Sequence, residues 1–305
     1  MRFFAVLNRQ GGSLRTTDLD SFTASVRETL QTAGHSLEIE LVSGDDLIAA
    51  LDRAASSDAD VVLAGGGDGT ISAAAGRLMG TPKALAVLPA GTMNLFARGL
   101  GIPLTLDEAV AAFAGGEIRQ VDIATANGRP FVHQFSIGMH ARLVKLRSKM
   151  EFASRLGKIR ASIRAAWLAV MNPLAIRVRI DVGNTEIEAR ATALGVTNNV
   201  FGEGHLPYAD RPDGGVLGIY FTVARQRGEL LRLLWNIARG KWRDNEQVEV
   251  HEAKRVTLTV QSRRKRLAAV LDGELVTLEK ETDIRIHPGQ LRVLVPSAKA
   301  PAKDA

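Results

Sequence analysis

The residues best suited to chemistry stand in a glycine-rich segment that follows an apolar run near residue 60. The sequence VVLAGGGDGTISAAA, residues 61–75, sets Asp68 among four glycines and places Thr70 directly after them. Glycines let a ligand touch the main chain, and N–H groups at the start of a helix bind phosphate oxygens. A carboxylate repels phosphate, so we expect Asp68 to bind a magnesium ion, a water or a hydroxyl group. A tight strand-to-helix turn that binds nothing would also explain the glycines.

Two further apolar runs end in loops of the same kind. One precedes PAGTMNLFARGLGIP, residues 89–103, which offers Thr92 and Asn94, and the other ends in NRQGGS, residues 8–13. Ligands bind beyond the carboxyl ends of parallel strands, so we expect the three loops to lie together. Helix capping would account for Thr92 by itself. The chain has neither GxxxxGK[ST] nor GxGxxG, which argues against a P-loop and a dinucleotide dehydrogenase.

The elements around these loops alternate between strand and helix over about the first 120 residues. Leu19, Phe22, Val26 and Leu30 recur at helical spacing, and Gly34 stops that helix. We predict helices over residues 18–33 and 45–56, a helix from about Thr70, and strands in the apolar runs, one of which ends at Ala64. Strands that alternate with helices predict a doubly wound α/β domain.

The pattern changes after residue 121, where strand-like segments with Gly, Asn and Asp between them dominate. Among them are FVHQFSIG, EIEARATALGV and RLAAVLDGELVTL, with helical stretches at roughly 140–170 and 226–240. We therefore predict an α/β plus β fold, in which an antiparallel β-sandwich-like domain follows the α/β domain. The predicted boundaries are 1–124 and 125–288, with a strand near 289–296 that returns to the first domain and a disordered tail at 297–305.

Composition limits the function classes. The absence of cysteine excludes disulfides, thiolate metal sites and cysteine nucleophiles, and the six histidines are scattered without the spacing of zinc ligands. The net charge of +6 favours an anionic partner, but an aromatic content of 5% is low for base stacking, so we expect no nucleic acid. The apolar run at the amino terminus is too short for a signal peptide, and we expect a cytoplasmic protein.

The ordered set of motifs resembles a known family. The GGDGT segment followed by PAGTMNLFAR is similar to the diacylglycerol-kinase catalytic domain of bacterial and eukaryotic lipid kinases. VDIATANGRPFVHQFSIGMHA, VTNN, ADRPDGGVL and LDGELV follow in the family's order, so the resemblance covers residues 1 to about 295. GGDGT alone is shared with NAD kinases and phosphofructokinases, whereas the ordered set is much more specific.

The resemblance implies that ATP binds between two domains with Mg²⁺ and that phosphate moves to a lipid hydroxyl. Asp68 and Asp122 would serve the magnesium–phosphate end, and Glu274 matches the family's proposed general base. The implied nucleotide-binding residues are Asn8, Arg9, Gln10, Gly11, Gly12, Ser43, Gly66, Gly67, Asp68, Gly69, Thr70, Ile71, Ser72, Ala73, Thr92 and Asn94. Diacylglycerol, phosphatidylglycerol and sphingoid bases all fit as acceptors.

The resemblance also implies a structural or regulatory magnesium in ADRPDGGVL. Asp213 would give a carboxylate, and Asp210 and Gly215 would give backbone oxygens; a plain hairpin turn is the alternative. Asp-Gly at 272–273 likewise predicts a hairpin, which is compatible with presenting Glu274. The chain departs from the family at Leu95, where aspartate is common, and at His133, where asparagine is more usual.

A basic amphipathic helix is predicted over residues 142–168. Eight cations flank an apolar stripe there and one acid, Glu151, accompanies them, which favours an anionic membrane surface; packing on the second domain is the alternative. We therefore expect a peripherally membrane-associated enzyme that acts on a membrane lipid, and leave a homodimer open. A nucleotide- or lipid-binding pseudokinase, motivated by Leu95, and an NAD kinase are the alternative functions.

Overall fold

The computed structural model describes residues 1–148, 175–183, 185–222, 227–238, 248–261 and 267–297. Contacts divide the chain into two compact units. Unit 1 comprises Met1–Ile123 and the chain from Gly289 onward, and unit 2 comprises Ala124–Pro288. In the described residues no helix is both long and apolar enough to cross a bilayer.

Unit 1 is built on a parallel sheet in the order β2-β1-β3-β4-β16. Its strands are β1 (Arg2–Asn8), β2 (Ser36–Val42), β3 (Val61–Gly66), β4 (Ala84–Pro89), the first part of β5 (Glu117–Ala126) and the last part of β16 (Glu281–Val295). Every residue of β3 and β4 is buried, as expected for central parallel strands that helices cover.

The helices of unit 1 pack on that sheet in two groups. They are α1 (Leu19–Thr32), α2 (Leu47–Ser56), α3 (Asp68–Leu78), α4 (Leu95–Gly99) and α5 (Leu106–Ala114), with a 3₁₀ turn at Gly12–Arg15. Helix α1 contacts α5, and α2 contacts α3. The Asp18 side chain caps α1 by accepting the Asp20 N–H, and Phe22, Val26 and Leu30 form its buried face. The doubly wound α/β prediction is confirmed.

Unit 2 contains two antiparallel sheets. Its strands are β6 (Arg129–Phe131), β7 (Gln134–Gly138), β8 (Ile176–Val182), β9 (Thr185–Ala191), β10 (Ala193–Asn198), β11 (Leu217–Thr222), β12 (Val248–Ala253), β13 (Arg255–Gln261), β14 (Leu267–Leu271) and β15 (Glu274–Leu278). One sheet has the order β12-β11-β10-β7-β14-β15, and the other runs from the first part of β16 through β13 and β8 to β9. Its described helices are α6 (Met139–Ser148) and α7 (Arg227–Ala238).

The core of unit 2 is formed by alternate residues of both sheets. Phe135 and Ile137 of β7 join Val178 and Ile180 of β8 in one buried cluster, together with Leu258 of β13. Alternation of buried and exposed residues along β8 and β13 gives each strand one core face. The prediction of a β-sandwich-like second domain is confirmed.

Several local predictions need correction. Strand β3 continues to Gly66 and α3 begins at Asp68, because the glycines extend the strand and start the helix without a separate loop. Thr70 is therefore the third residue of α3. The segment FVHQFSIG is interrupted between β6 and β7, and EIEARATALGV divides into β9 and β10.

Candidate functional site

The carboxyl ends of the parallel strands of unit 1 bring the predicted loops together. The strand register pairs Asn8 of β1 with Val42 of β2, and Gly66 of β3 with Pro89 of β4. Each pair of strands therefore ends at the same level of the sheet. The loops then touch: Ser13 N–H donates to Ala90 O at 2.8 Å, and the Asn8 amide lies 3.5 Å from Thr70 Oγ1. This edge is where an open α/β sheet binds ligands.

Glycine is required where these loops meet. Gly12 has a φ of +43°, and a Cβ built on it would lie 1.7 Å from Ala90 O. A Cβ on Gly66 would lie 2.4 Å from Thr70 Oγ1, and one on Gly91 would lie 3.0 Å from Gly67 Cα. Gly12 and Gly91 therefore allow main chains to pack directly on one another, and Gly66 leaves room for the Thr70 side chain.

The start of α3 has the features of an anion site with an acid beside it. Gly67 is the N-cap residue and has no side chain with which to cap the first turn, where N–H groups can bind an anion. Asp68 follows at once, and its Oδ1 accepts the N–H of Leu95 at 3.1 Å. Burial raises the pKa of Asp68, while hydrogen bonds from the N–H groups of Leu95 and Asn94 act in the opposite direction.

Asn94, not Thr92, stands at the N-cap position of α4, and its side chain makes no capping hydrogen bond to the helix. It takes the left-handed conformation with φ +49°, and its side-chain amide donates to Gly91 O at 3.0 Å and to Pro89 O at 3.4 Å. Thr92 is exposed. The Asn94 side chain is thus fixed within its own loop, whereas Thr92 and Met93 of this loop are exposed to solvent.

The remaining predicted nucleotide residues surround the same edge. Asn8 Oδ1 accepts the Gln10 N–H at 3.0 Å, and Gln10 Oε1 accepts the Gly44 N–H at 3.4 Å. Ser43 donates to Asp46 at 3.1 Å. The other members of the set lie on these loops or in the first turns of α3: Arg9, Gly11, Gly69, Ile71, Ser72 and Ala73. Ile71 is 4% exposed, so its side chain belongs to the core.

Asp122 lies in a different setting from Asp68. It is 2% exposed on β5, and its Oδ1 accepts the N–H of Gly289 at 2.9 Å. Gly289 has a φ of +64°, and the hydrogen bond fastens this turn of β16 to β5. The contact gives Asp122 a structural role in unit 1, and its role at the magnesium–phosphate end stays a prediction.

Glu274 lies at the end of the hairpin that the sequence predicts. Leu271 pairs with Glu274, so Asp272 and Gly273 form a two-residue turn, with φ values of +45° and +88°. Positive φ at both positions is typical of a type I′ turn. Glu274 is exposed at the start of β15. Its role as a base stays a prediction.

Asp272 makes contacts that the sequence, which predicts it only as a turn residue, does not reveal. It is 6% exposed, and its carboxylate accepts the N–H groups of Val132, His133 and Gln134 at 2.8–2.9 Å. This buried acceptor holds the segment between β6 and β7 against the turn that precedes Glu274. No sequence pattern links Asp272 to the N–H groups that it binds, which lie up to 140 positions away. The one available signal was an acidic residue between two predicted strands.

The loop from Asp210 to Gly215 has oxygen atoms that could bind a metal, but its described residues form no cluster of acidic side chains. Asp210 Oδ1 lies 2.7 Å from His205 Nε2, and Asp213 is exposed. Within the described ranges, no group of three or more His, Asp or Glu side chains lies close enough to hold a metal. A cation at Asp68 or in the loop from Asp210 to Gly215 would need backbone, amide or phosphate oxygens as ligands in addition to a carboxylate.

The predicted basic helix is only partly described. Arg142 and Lys145 lie in α6, and the rest of the predicted range to residue 168 lies outside the described residues. Lys145 borders a cavity of about 550 Å³ in unit 2, whose other lining residues are Leu267, Ala268, Leu275, Val276 and Thr277.

Comparisons with known proteins agree with this architecture. The model of the diacylglycerol kinase catalytic domain matches residues 2–126, and that of the YegS C-terminal NAD kinase beta sandwich-like domain matches residues 134–295. A diacylglycerol kinase from Bacillus subtilis is 26% identical over 293 residues, which are 92% of this chain and 93% of that protein. One from Staphylococcus saprophyticus is 26% identical over 210 residues, 68% of each chain.

The fold is also that of a solved structure. A diacylglycerol kinase from Bacillus anthracis str. Sterne superposes with a TM-score of 0.73 at 19% identity, covering 98% of both chains. The matched ranges leave only short stretches of the chain unassigned, and they contain the glycine loop, the Asn94 loop and the Asp272 turn. The chain therefore belongs to the bacterial diacylglycerol kinase family of lipid kinases.

Proposed function

We propose that this protein transfers the γ-phosphoryl group of ATP, with Mg²⁺, to a hydroxyl of a diacylglycerol-like membrane lipid. The observation that carries the proposal is the meeting of three glycine-bearing loops at the carboxyl edge of the parallel sheet, with the start of α3 and Asp68 among them. Phosphoryl transfer depends mainly on holding and neutralising the phosphates, and this edge has the groups for both tasks.

The triphosphate fits the packed main chains of that edge. Gly12, Gly66 and Gly91 leave no side chain where the loops approach one another, and α3 begins without a side-chain cap. N–H groups in such a position donate to phosphate oxygens, and the helix dipole favours their negative charge. Thr92, exposed on the neighbouring loop, is proposed to add a hydroxyl.

Magnesium fits Asp68 in the same proposal. Mg²⁺ keeps several waters and is often held by one or two carboxylates together with substrate phosphates, so a cluster of acids is unnecessary. When bound, it neutralises charge on the phosphates. Asp68 is held in place by the Leu95 N–H and so presents its carboxylate in a fixed position.

Glu274 is proposed as the general base. In the transfer the acceptor hydroxyl loses its proton to the Glu274 carboxylate, the new phosphate ester bond forms to the lipid oxygen, and ADP leaves. Asp272 would be a poor base, because its two oxygens already accept three main-chain N–H groups. Its role in this proposal is to fix the turn from which Glu274 extends.

We also propose a peripheral membrane position. Arg142 and Lys145 begin the predicted basic helix, and α7 exposes Leu231 and Trp235 one helical turn apart, at 45% and 64% exposure. Exposed Arg232 lies beside them. Cations with apolar and aromatic side chains suit the interface of an anionic bilayer.

A total lipid extract with labelled ATP tests the function directly. The purified chain should label one lipid class in a Mg²⁺-dependent reaction, and mass analysis identifies the product; Glu274→Gln serves as the matched inactive protein. A parallel incubation with NAD tests the NAD kinase alternative. Labelling of NAD and of no lipid would overturn the proposal, and binding of ATP without any labelled product would favour the pseudokinase.

A further inference from the structure

The cavity of about 550 Å³ in unit 2 is bordered by α6 and by the hairpin of β14 and β15. Its volume falls within the range of roughly 300–1,000 Å³ that is usual for small-molecule sites. The residues proposed to hold ATP and Mg²⁺ do not line it. The described lining combines side chains of the hairpin with one cation of α6: Leu267, Ala268, Leu275, Val276, Thr277 and Lys145.

Strand alternation explains why the hairpin offers apolar side chains to this cavity. Val276 and Leu278 pack with the core of unit 2, so Leu275 and Thr277 lie on the opposite face of β15. Ala268 pairs directly with Thr277 and therefore lies on that face as well. Leu275 is 38% exposed there, although leucine is usually buried. Partly exposed apolar side chains along a cavity suit a hydrocarbon ligand.

Lys145 is the one charged residue of the described lining. It is exposed although it borders an apolar cavity. A lysine in such a position lays its methylene stem along apolar surface and keeps its ammonium group in water. The ammonium group therefore belongs at the opening of the cavity, above apolar walls. A site of this kind matches a ligand with an apolar chain and a negatively charged head.

The cavity adjoins the turn that carries the proposed general base. Glu274 directly precedes Leu275, and residues advance by about 3.4 Å along a strand. A lipid chain that packs on Leu275 can therefore place its headgroup at this turn. Lys145, Leu275 and Glu274 all belong to unit 2. Selection of the acceptor and removal of its proton would thus be tasks of the same unit.

We propose that this cavity holds an acyl chain of the acceptor lipid and that Lys145 selects an acceptor with an anionic headgroup. The acceptor is then a phospholipid whose headgroup carries a free hydroxyl, such as phosphatidylglycerol, in preference to uncharged diacylglycerol. The ammonium group of Lys145 contacts the phosphodiester, and the headgroup hydroxyl is the group that receives phosphate. This inference rests on the proposed function, because it takes the acceptor to be a lipid, and it adds the charge of that lipid.

The test measures lipid binding without ATP. The full chain is titrated by calorimetry with dihexanoylphosphatidylglycerol and with dihexanoylglycerol, each below the concentration at which it forms micelles. We expect the anionic lipid to bind at least tenfold more tightly than the uncharged lipid. Lys145→Met keeps the apolar stem and removes the charge, so it should abolish this preference and leave the affinity for dihexanoylglycerol unchanged. Because no bilayer is present, an attraction of Lys145 to membranes does not contribute.

A second variant tests the cavity itself. Thr277→Trp fills the cavity from an exposed position of β15 and should weaken the binding of both lipids at least tenfold. Lys280→Met is the matched control, because Lys280 is an exposed lysine that follows β15 and is not part of the lining. It should keep the parental affinities. All three variants change exposed residues, so thermal unfolding should give the parental Tm.

Three results would overturn the inference: a preference for the anionic lipid that Lys145→Met retains, parental affinities in Thr277→Trp, or a parental chain that binds neither lipid. The lipid-kinase proposal fails in a different way. Selective binding of the anionic lipid, together with no labelled product from a total lipid extract, would refute phosphoryl transfer to a lipid and leave the cavity assignment intact.

Discussion

Asp68 Oδ1 accepts a hydrogen bond from the main-chain N–H of Leu95 at 3.1 Å, which joins the first turn of α3 to the first turn of α4. The bond uses the backbone of residue 95, so the side chain at that position does not affect it. Leucine can therefore replace the aspartate that is common in the family without breaking the contact between the two loops. What leucine cannot supply is a second carboxylate beside Asp68.

Asp68→Asn separates the two roles of the Asp68 carboxylate, which are to accept the Leu95 N–H and, as we propose, to bind Mg²⁺. Asparagine keeps an oxygen acceptor for the Leu95 N–H but carries no charge, so we expect an intact fold and a loss of turnover of about 100-fold or more, by analogy with other charge-stabilising groups. Asp68→Ala should lose stability as well. Steady-state kinetics against Mg²⁺ concentration, with thermal unfolding beside it, measures both. An Asp68→Asn enzyme with parental Mg²⁺ dependence would contradict a role in metal binding.

Glu274→Gln should abolish turnover and leave ATP affinity nearly unchanged. The amide is isosteric but cannot accept the hydroxyl proton, and Glu274 belongs to unit 2, whereas the loops proposed to bind phosphate belong to unit 1. Initial rates and equilibrium ATP binding are the measurements, and Glu279→Gln, just beyond β15, is the control. Turnover within tenfold of the parent, about 1.4 kcal/mol in the barrier, would exclude Glu274 as an essential base.

Gly12→Ala tests whether close packing of the loops is needed. The methyl group would clash with Ala90 O, so we expect loss of ATP binding in addition to lower stability. Gly34→Ala is the matched control, because Gly34 also has positive φ but nothing within 4 Å of an added Cβ. It should cost only about 1–2 kcal/mol of backbone strain. Equal ATP affinity in the two variants would show that the Gly12 contact is irrelevant to the nucleotide.

His133 should make unit 2 sensitive to acid. Burial, with a smaller effect of His140, lowers the pKa of His133 to about 3, against an ordinary value near ~6.5 in an unfolded chain. The unfolded state therefore binds more protons between these values, and the free energy of unfolding falls as the pH drops through this range. His133→Asn should lose less stability between pH 7 and pH 5 than the parent, as measured by urea unfolding. Val178→Ala, a core change without a titrating group, should keep the parental pH dependence.

Leu231→Ser/Trp235→Ser should weaken binding to anionic vesicles about tenfold. Each apolar side chain that enters a bilayer contributes roughly 1.5–3 kcal/mol, part of which these exposed positions would realise. Co-sedimentation with vesicles that contain phosphatidylglycerol, at low and at high salt, measures the effect. Ile48→Ser changes an exposed apolar residue of α2 in unit 1 and should bind normally. An equal loss of vesicle binding in the two variants would exclude α7 as the surface that contacts the membrane.

The architecture follows from sequence because the periodic signals are strong. Continuous apolar runs predict β3 and β4, and Phe22, Val26 and Leu30 predict the buried face of α1. The meeting of the loops was also predictable, since parallel strands end at one edge. Boundaries were less accurate at β3 and α3, where the glycines fit both a strand end and a helix start.

The contacts of Asp272 could not be predicted in the same way. Asp272 accepts hydrogen bonds from main-chain donors 138–140 positions away. That relationship leaves no periodic pattern, because it depends on how distant strands pair. Helix capping by Thr92 was also not found, because α4 begins at Leu95 and Asn94 occupies its N-cap position.

A strand distant in sequence completes the parallel sheet of unit 1. Residues 292–294 of β16 pair with β4, so the outer edge of β4 has no strand partner until residue 294 has been synthesised. Unit 1 therefore completes its sheet long after its first 123 residues have emerged from the ribosome. An exposed edge of apolar residues is prone to pair with other chains, and nascent or truncated forms that end before residue 289 should depend on chaperones.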